Sequence, residues 1–225
     1  MKMKYFHRLF FLIFFLAVLH AKAPDFESIV GIYLFGSGHR LSVGPLNRTM
    51  TGNGLPSFDP YFYDMGFGFD VFQARNVLSV MYGDSFEKRV TGHSFEMALD
   101  FRYWHVDIGY SLIHSTRLSL CTALGAGGDR IEFTHTRTET ISLDSALSRP
   151  AVRSYFISRS LVTAGTLSLV FRFGGDLGFY GKLQGGYLYS PFRRKWESGN
   201  TFISGDILDT DGFFAGFHIG YYVGK

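Results

Sequence analysis

Residues 212–225 read GFFAGFHIGYYVGK. Phe213, Ala215, Phe217, Ile219, Tyr221 and Val223 share one parity; Gly212, Phe214, Gly216, His218, Gly220 and Tyr222 share the other. Successive side chains of an extended chain point to opposite faces. One face of this segment is therefore wholly apolar, and the other mixes glycine with rings and a histidine. A helix would repeat its apolar positions at three and four residues, and this segment does not. The same period of two recurs upstream. Tyr63, Met65, Phe67, Phe69 and Val71 alternate with Asp64, Gly66, Gly68, Asp70 and Phe72. Similar faces are Trp104, Val106, Ile108, Tyr110 and Leu112, then Leu167, Leu169, Phe171 and Phe173.

The composition agrees. The chain of 225 residues holds 25 Phe, 13 Tyr, 2 Trp and 27 Gly, and 18% of it is aromatic. A helical bundle would carry Ala, Leu, Glu and Lys in their place, and a disordered chain would lack the aromatics. A net charge of +3, with no long basic block, gives no footing for nucleic-acid binding. The single cysteine, Cys121, excludes an intrachain disulfide framework and a cysteine-based zinc site.

The first segment reads as an address. Lys2, Lys4 and Arg8 precede the apolar run Leu9 to Leu19, and Ala21-Lys22-Ala23 follows. That order of charged, apolar and small residues is a secretory signal peptide over 1–23, with cleavage after Ala21 or Ala23. The run falls short of the ~20 apolar residues that span a bilayer, and no later stretch reaches that length. A single domain over 24–225 follows.

Strands are predicted at 28–37, 61–73, 77–86, 93–113, 117–139, 152–173, 177–192 and 212–223. Short turns at 74–76, 114–116 and 174–176 alternate with longer polar connections at 38–60, 87–92, 140–151 and 193–211. An even strand count with short turns on one side and long loops on the other is the plan of an outer-membrane barrel. The fold class is thus all-β: an antiparallel up-and-down transmembrane barrel of about eight strands. Strands 93–113, 117–139 and 152–173 exceed the 9–11 residues that cross a membrane, so they are expected to project on the extracellular side. The apolar parity of 93–113 changes near Tyr103 and Trp104, which predicts a bulge there or an extra hairpin making ten strands. Gly125 to Gly128 predicts a kink. Tyr61, Tyr63, Trp104, Tyr187, Tyr189 and Phe213 form the expected girdle on the loop side; Phe72, Phe171, Phe173, Phe179, Tyr221 and Tyr222 form the one on the turn side.

The alternate face is rich in Gly, Ser and Thr rather than in the Lys and Glu of a water-exposed surface. It therefore reads as a lumen, and the apolar face as the lipid side. Phe67, Phe69, Ile108, Leu169, Phe217 and Ile219 are the expected lipid-facing band. The lumen face carries Asp64, Asp70, His105, Asp107, Arg172, Lys182 and His218. A barrel of eight strands is just wide enough to be filled by side chains, so these charges must pair. The expected pairs are Asp70 with Arg172 and Asp107 with Lys182, with His105 and His218 bonded into the same network.

The signal segment, the alternating glycine–aromatic strands and the closing GFFAGFHIGYYVGK resemble the small bacterial outer-membrane β-barrel family of the OmpA/OmpX type. The resemblance covers nearly all of the mature chain. It implies a Gram-negative outer membrane and no common activity. It also implies an aromatic last residue, whereas here Tyr221 and Tyr222 are followed by Val223-Gly224-Lys225. The expected role is structural or surface-interacting, through projecting strands and loops, with a plugged lumen. A narrow channel for small solutes and a lipid A-modifying enzyme are the alternatives. Expected partners are outer-membrane lipid and lipopolysaccharide, the barrel assembly machinery and an unidentified extracellular ligand, for a monomeric chain. No cofactor or metal and no catalytic residue is expected: His114-Ser115-Thr116 lies on the turn side, and His135 stands among Thr136, Thr138 and Glu139 without a recognisable catalytic pattern.

Overall fold

The computed structural model describes residues 28–92, 95–115, 117–137, 153–192, 194–198, 201–203 and 208–224. The proposed signal segment and the whole 140–151 connection lie outside the described residues. The elements in chain order are β1 (Ser28–Arg40), α1 (Gly44–Gly52), β2 (Tyr61–Gln73), β3 (Asn76–Ser85), β4 (Lys88–Thr91), β5 (Phe95–His114), β6 (Leu118–Arg137), β7 (Arg153–Gly174), β8 (Leu177–Tyr189), β9 (Trp196–Ser198), β10 (Thr201–Ile203) and β11 (Gly212–Gly224).

Eight of these strands close a circuit. Each is antiparallel to the next in the order β1, β2, β3, β5, β6, β7, β8, β11, and β11 returns to β1. Ile32 of β1 lies opposite Phe69 on one side and Tyr221 on the other. Closure leaves the eight-strand circuit without a free edge, as a membrane interior demands. The turns are tight. Gln73 pairs directly with Asn76, which forces Ala74 to a φ of 52°, and Gly174 takes a φ of 114° that a side chain would resist.

β5, β6 and β7 run 20, 20 and 22 residues, against 13 for β1 and β11. Their excess forms a wall above one side of the barrel. β4 pairs with β5, β9 with β7 and β10 with β9, widening that wall. The connection at 38–60 is not only loop: Pro45 opens α1, and Leu46 and Met50, one helical turn apart, lie buried on a single face. Leu41, Val43, Phe58, Phe62, Met97, Leu99, Phe101, Ile131, Trp196 and Leu208 join them in one apolar cluster inside the wall. The Asn47 side chain fastens the returning segment, donating to the Phe58 carbonyl and accepting its amide, each at 2.8 Å.

Three expectations are corrected here. β5 has no parity change at Tyr103 and Trp104: Met97, Leu99, Phe101, Tyr103, His105 and Asp107 all point inward. What changes is the polarity of each face. Above Tyr103 the inside is apolar and the outside carries Asp100 and Arg102; below it the inside carries His105 and Asp107 and the outside Val106 and Ile108. A water-surrounded wall and a lipid-surrounded barrel need opposite faces, and one straight strand serves both. The bulge falls instead between Ser111 and Ile113. Gly125 to Gly128 makes no kink either, since β6 pairs without interruption there with β5 and β7. Finally, Phe72 and Tyr222 leave the turn-side girdle; at 3% and 5% exposure they point inward, as Tyr222 must when its neighbour Tyr221 points out.

Candidate functional site

The outer wall of the circuit is an apolar belt. Ile108 is 71% exposed and Leu124 77%, with Ile32, Leu34, Phe67, Leu167, Leu183, Phe217 and Ile219 also exposed on the same side. Phe69 and Leu169 are part-buried members of that face. Tyr61, Tyr63, Tyr82, Tyr187, Tyr189 and Phe213 are exposed around its upper rim, where Trp104 is part-buried; Tyr110, Phe173, Phe179 and Tyr221 are exposed around its lower rim. Exposure of such a belt in water would carry a large hydrophobic cost. Two aromatic girdles flanking it are the mark of a lipid-facing barrel.

The interior is built from glycine and rings. A Cβ placed on Gly68 would stand 2.5 Å from the Tyr33 ring, one on Gly66 the same distance from Phe35, and one on Gly83 the same distance from Tyr103. One on Gly31 would meet Tyr180 at 2.6 Å. The glycines that alternate with outward aromatics are thus the floor on which inward aromatics lie.

Polar groups are layered between these rings. In the upper layer, His39 Nε2 is 2.7 Å from Asp64 Oδ2, and the Ser37 amide donates to Asp64 Oδ1 at 3.1 Å. The Ser37 hydroxyl also donates to Asp64, and the Tyr103 hydroxyl is 3.3 Å from His39 Nε2. These residue types invite comparison with a nucleophilic relay. The geometry is different: Ser37 Oγ and Asp64 both address Nε2, whereas a relay needs the hydroxyl on one ring nitrogen and the carboxylate on the other. In the middle, His105 Nδ1 and Asp107 Oδ1 are 3.2 Å apart, and His218 lies against Tyr33 and Phe35, with ring centroids 4.8 and 5.1 Å away. In the lower layer, Lys182 Nζ donates to both oxygens of Asp70 at 2.9 Å. Asp70 also accepts from the Ser79 hydroxyl at 2.5 Å and from the Tyr180 hydroxyl at 3.1 Å. Lys182 stands 4.5 Å from the Tyr33 ring centroid, and Asp70 is 0% exposed.

All seven lumen residues named from sequence are buried, but the expected pairs are exchanged. Lys182 binds Asp70, not Asp107. Asp107 turns to His105, two residues away on its own strand, and leans over Gly125, whose missing side chain leaves the room. Arg172 covers the Phe72 ring at 4.6 Å and donates to the Ser115 carbonyl at 3.2 Å, closer to the turns. Counting from the turns set the expected heights. In a tilted, staggered barrel the register sets them instead.

Above the belt, the wall carries paired charges. Arg102 reaches Asp84 at 3.1 Å and Asp100 at 3.0 Å, Arg130 holds Glu132, and Arg159 stands 3.8 Å from Glu197. Burial raises the Asp100 carboxyl above its usual range, against the pull of Arg102. A second cluster ties down the connection between β8 and β11. Buried Arg194 holds Asp129 of β6, donates to Thr210 Oγ1 at 2.5 Å, and lies 3.5 Å from Asp209. Burial, then the neighbouring Asp211 carboxylate, raises the Asp209 carboxyl, with Arg194 opposing. Asp209 also exchanges backbone bonds with Ser42, joining this connection to the α1 segment. Sequence reasoning missed His39, which lay past the predicted end of β1, and Arg194, which lay in a predicted loop. The continuing odd parity from Tyr33 through His39 was the available signal for the first; Arg194 had none.

A closed eight-stranded barrel with an apolar belt and two aromatic rims has the architecture of a transmembrane β-barrel of the outer-membrane type. No family model matches the sequence, and no curated protein does. Solved structures do show likeness. The attachment invasion locus protein Ail of Yersinia pestis aligns at 10% identity over 89% of this chain and 99% of that chain, with a TM-score of 0.44. The N-terminal barrel domain of Pseudomonas aeruginosa OprF aligns at 12% identity over 88% and 99%, with a TM-score of 0.40. Neisserial surface protein A aligns at 8% over 88% and 96%, with a TM-score of 0.38.

Proposed function

We propose that this protein is a monomeric outer-membrane barrel with a plugged lumen, acting as a structural or surface-interaction protein through its extracellular wall and loops. The observation that carries this reading is the stack of inward rings on glycine floors, crossed by the buried Lys182–Asp70 pair. Side chains that meet across the axis leave no bore for a hydrated solute. The paired charges of the projecting wall and the tied connections above it make a defined surface for an extracellular ligand. Residues 1–23 serve as the signal peptide, and the barrel assembly machinery inserts the mature chain. Cell fractionation, urea extraction and comparison of unboiled with boiled gel samples test the membrane part: the protein should resist extraction and migrate faster unboiled. Recovery in the soluble periplasm would overturn it. Planar-bilayer recordings test the lumen: the plugged barrel should be silent, and steady salt conductance would favour a solute channel.

A further inference from the structure

The connection from β8 to β11 returns to the barrel through a short run, Leu208 to Asp211. Leu208 and Thr210 are 3% and 0% exposed, and Leu208 belongs to the apolar cluster that holds Leu46, Met50 and Trp196. Asp209, between them, stays partly exposed. It meets the α1 segment through two backbone bonds to Ser42, at 3.2 and 3.3 Å, which form an isolated bridge rather than a ladder. Both are longer than the ~2.9–3.0 Å usual for such bonds. The side-chain ties are unbalanced in charge. Arg194 holds Asp129 of β6, donates to Thr210 Oγ1 and lies 3.5 Å from Asp209. Asp211 adds a third carboxylate, which accepts the Ser190 amide at 2.6 Å. Arg40 of β1 lines an outer cavity together with Asp211. Among the described residues these are the charged groups around Asp209, with Asp129, Asp209 and Asp211 gathered about one buried guanidinium.

One guanidinium neutralises one carboxylate. The Arg194 and Asp129 side chains are 2% and 0% exposed, so that pair is complete in itself. Asp209 is left beside Asp211 with a cation it reaches only at 3.5 Å, and its negative charge works against the seating of Leu208 and Thr210. A proton on Asp209 removes that repulsion and leaves its backbone bonds to Ser42 in place. We propose that Leu208 to Asp211 is an acid-fastened strap: protonation of Asp209 seats it against Arg194 and Ser42, and ionisation in neutral or alkaline medium loosens it and uncovers Leu208 and Trp196. The sign follows from where the proton is held more tightly. Burial and the Asp211 carboxylate raise the Asp209 carboxyl in the seated strap, against the pull of Arg194, whereas release into water restores the ordinary carboxylate range. The seated state therefore gains stability as pH falls from the raised range toward the ordinary one, and loses that gain as pH rises. The strap lies above the apolar belt and takes no part in filling the lumen, so a silent barrel and a conducting one would carry it equally.

Thiol protection provides the test. In a Cys121→Ala background, Leu208→Cys places one thiol at a buried position of the strap. The ratio of its labelling rate in the urea-unfolded chain to that in the detergent-folded barrel, taken at one pH, is a protection factor free of the thiol's own titration. Protection should be severalfold higher at about pH 5 than at about pH 8. Asp209→Asn should hold the acid level of protection at both, and Asp211→Asn should raise protection at about pH 8. Asp100→Asn, which removes a wall carboxyl also raised by burial, should respond to pH as the parent does. Equal protection at the two pH values, higher protection at the alkaline one, or an undiminished response in Asp209→Asn would each overturn the inference. Leu208→Cys trims the apolar cluster itself, so acrylamide quenching gives a second reading with Leu208 in place. Trp104→Phe leaves Trp196 as the single tryptophan of the chain, and its quenching should fall on acidification; quenching that does not change with pH would also overturn the inference. Each sample must show the fast-migrating unboiled band, so that loss of the barrel is told apart from release of the strap.

Discussion

Removing the Lys182 ammonium should strand Asp70 in the barrel interior. The side chains of this pair are 4% and 0% exposed, so the carboxylate cannot turn to water. Breaking a buried pair from one side costs about 3–5 kcal/mol. Asp70 would keep the Ser79 and Tyr180 hydroxyls, which places Lys182→Met near the lower end, about 3 kcal/mol. Adding Asp70→Asn removes the stranded charge while an amide oxygen still accepts from both hydroxyls, so the double variant should recover much of the loss. Adding Asp107→Asn to Lys182→Met should recover nothing, because Asp107 answers to His105. The folded fraction can be followed as the unboiled gel band across a urea series in lipid vesicles. Rescue by Asp107→Asn but not by Asp70→Asn would restore the pairing expected from sequence and refute the layered lumen. Identical midpoints for parent and single variant would refute the pair altogether.

Other perturbations separate the belt, the glycine floor and the extracellular ties. Phe217→Arg should cost roughly 2–4 kcal/mol of folding stability in vesicles, while Thr49→Arg, on the exposed side of α1, should cost almost nothing; urea midpoints compare the two. Gly68→Ala would press a methyl group into the Tyr33 ring 2.5 Å away, and the overpacking should lower stability by about 1–3 kcal/mol, read the same way. Arg194→Met should free the connection between β8 and β11 by leaving Asp129 and Asp209 without their cation; limited proteolysis should then cut within residues 190–211 while the fast-migrating unboiled band survives.

Much of the barrel was legible because period two is a covalent property of extended chain and survives any tertiary context. The last strand could be read face by face: Phe217 and Ile219 outward, His218 inward. The partners were not legible, since register and tilt couple residues as distant as Asp70 and Lys182, and neither leaves a local trace. The misread parity near Trp104 has a specific cause. Apolar parity changes there without a bulge because the surroundings above the girdle are water, so Met97, Leu99 and Phe101 turn inward into the cluster that holds Leu46 and Met50. α1 itself is 9 residues long, too short to be stable alone. Only burial of Leu46 and Met50 under the wall holds it, and that surface exists only after folding.

The inversion of polarity along β5 is the central claim, and depth-dependent quenching measures it directly. In a Cys121→Ala background, an environment-sensitive fluorophore attached at Ile108→Cys should be quenched by lipids brominated in mid-chain and ignored by aqueous iodide. The same fluorophore at Arg102→Cys, six residues up the same outward face, should show the reverse. Quenching of both positions by the same agent would mean that the strand meets one medium throughout, and the account would fail.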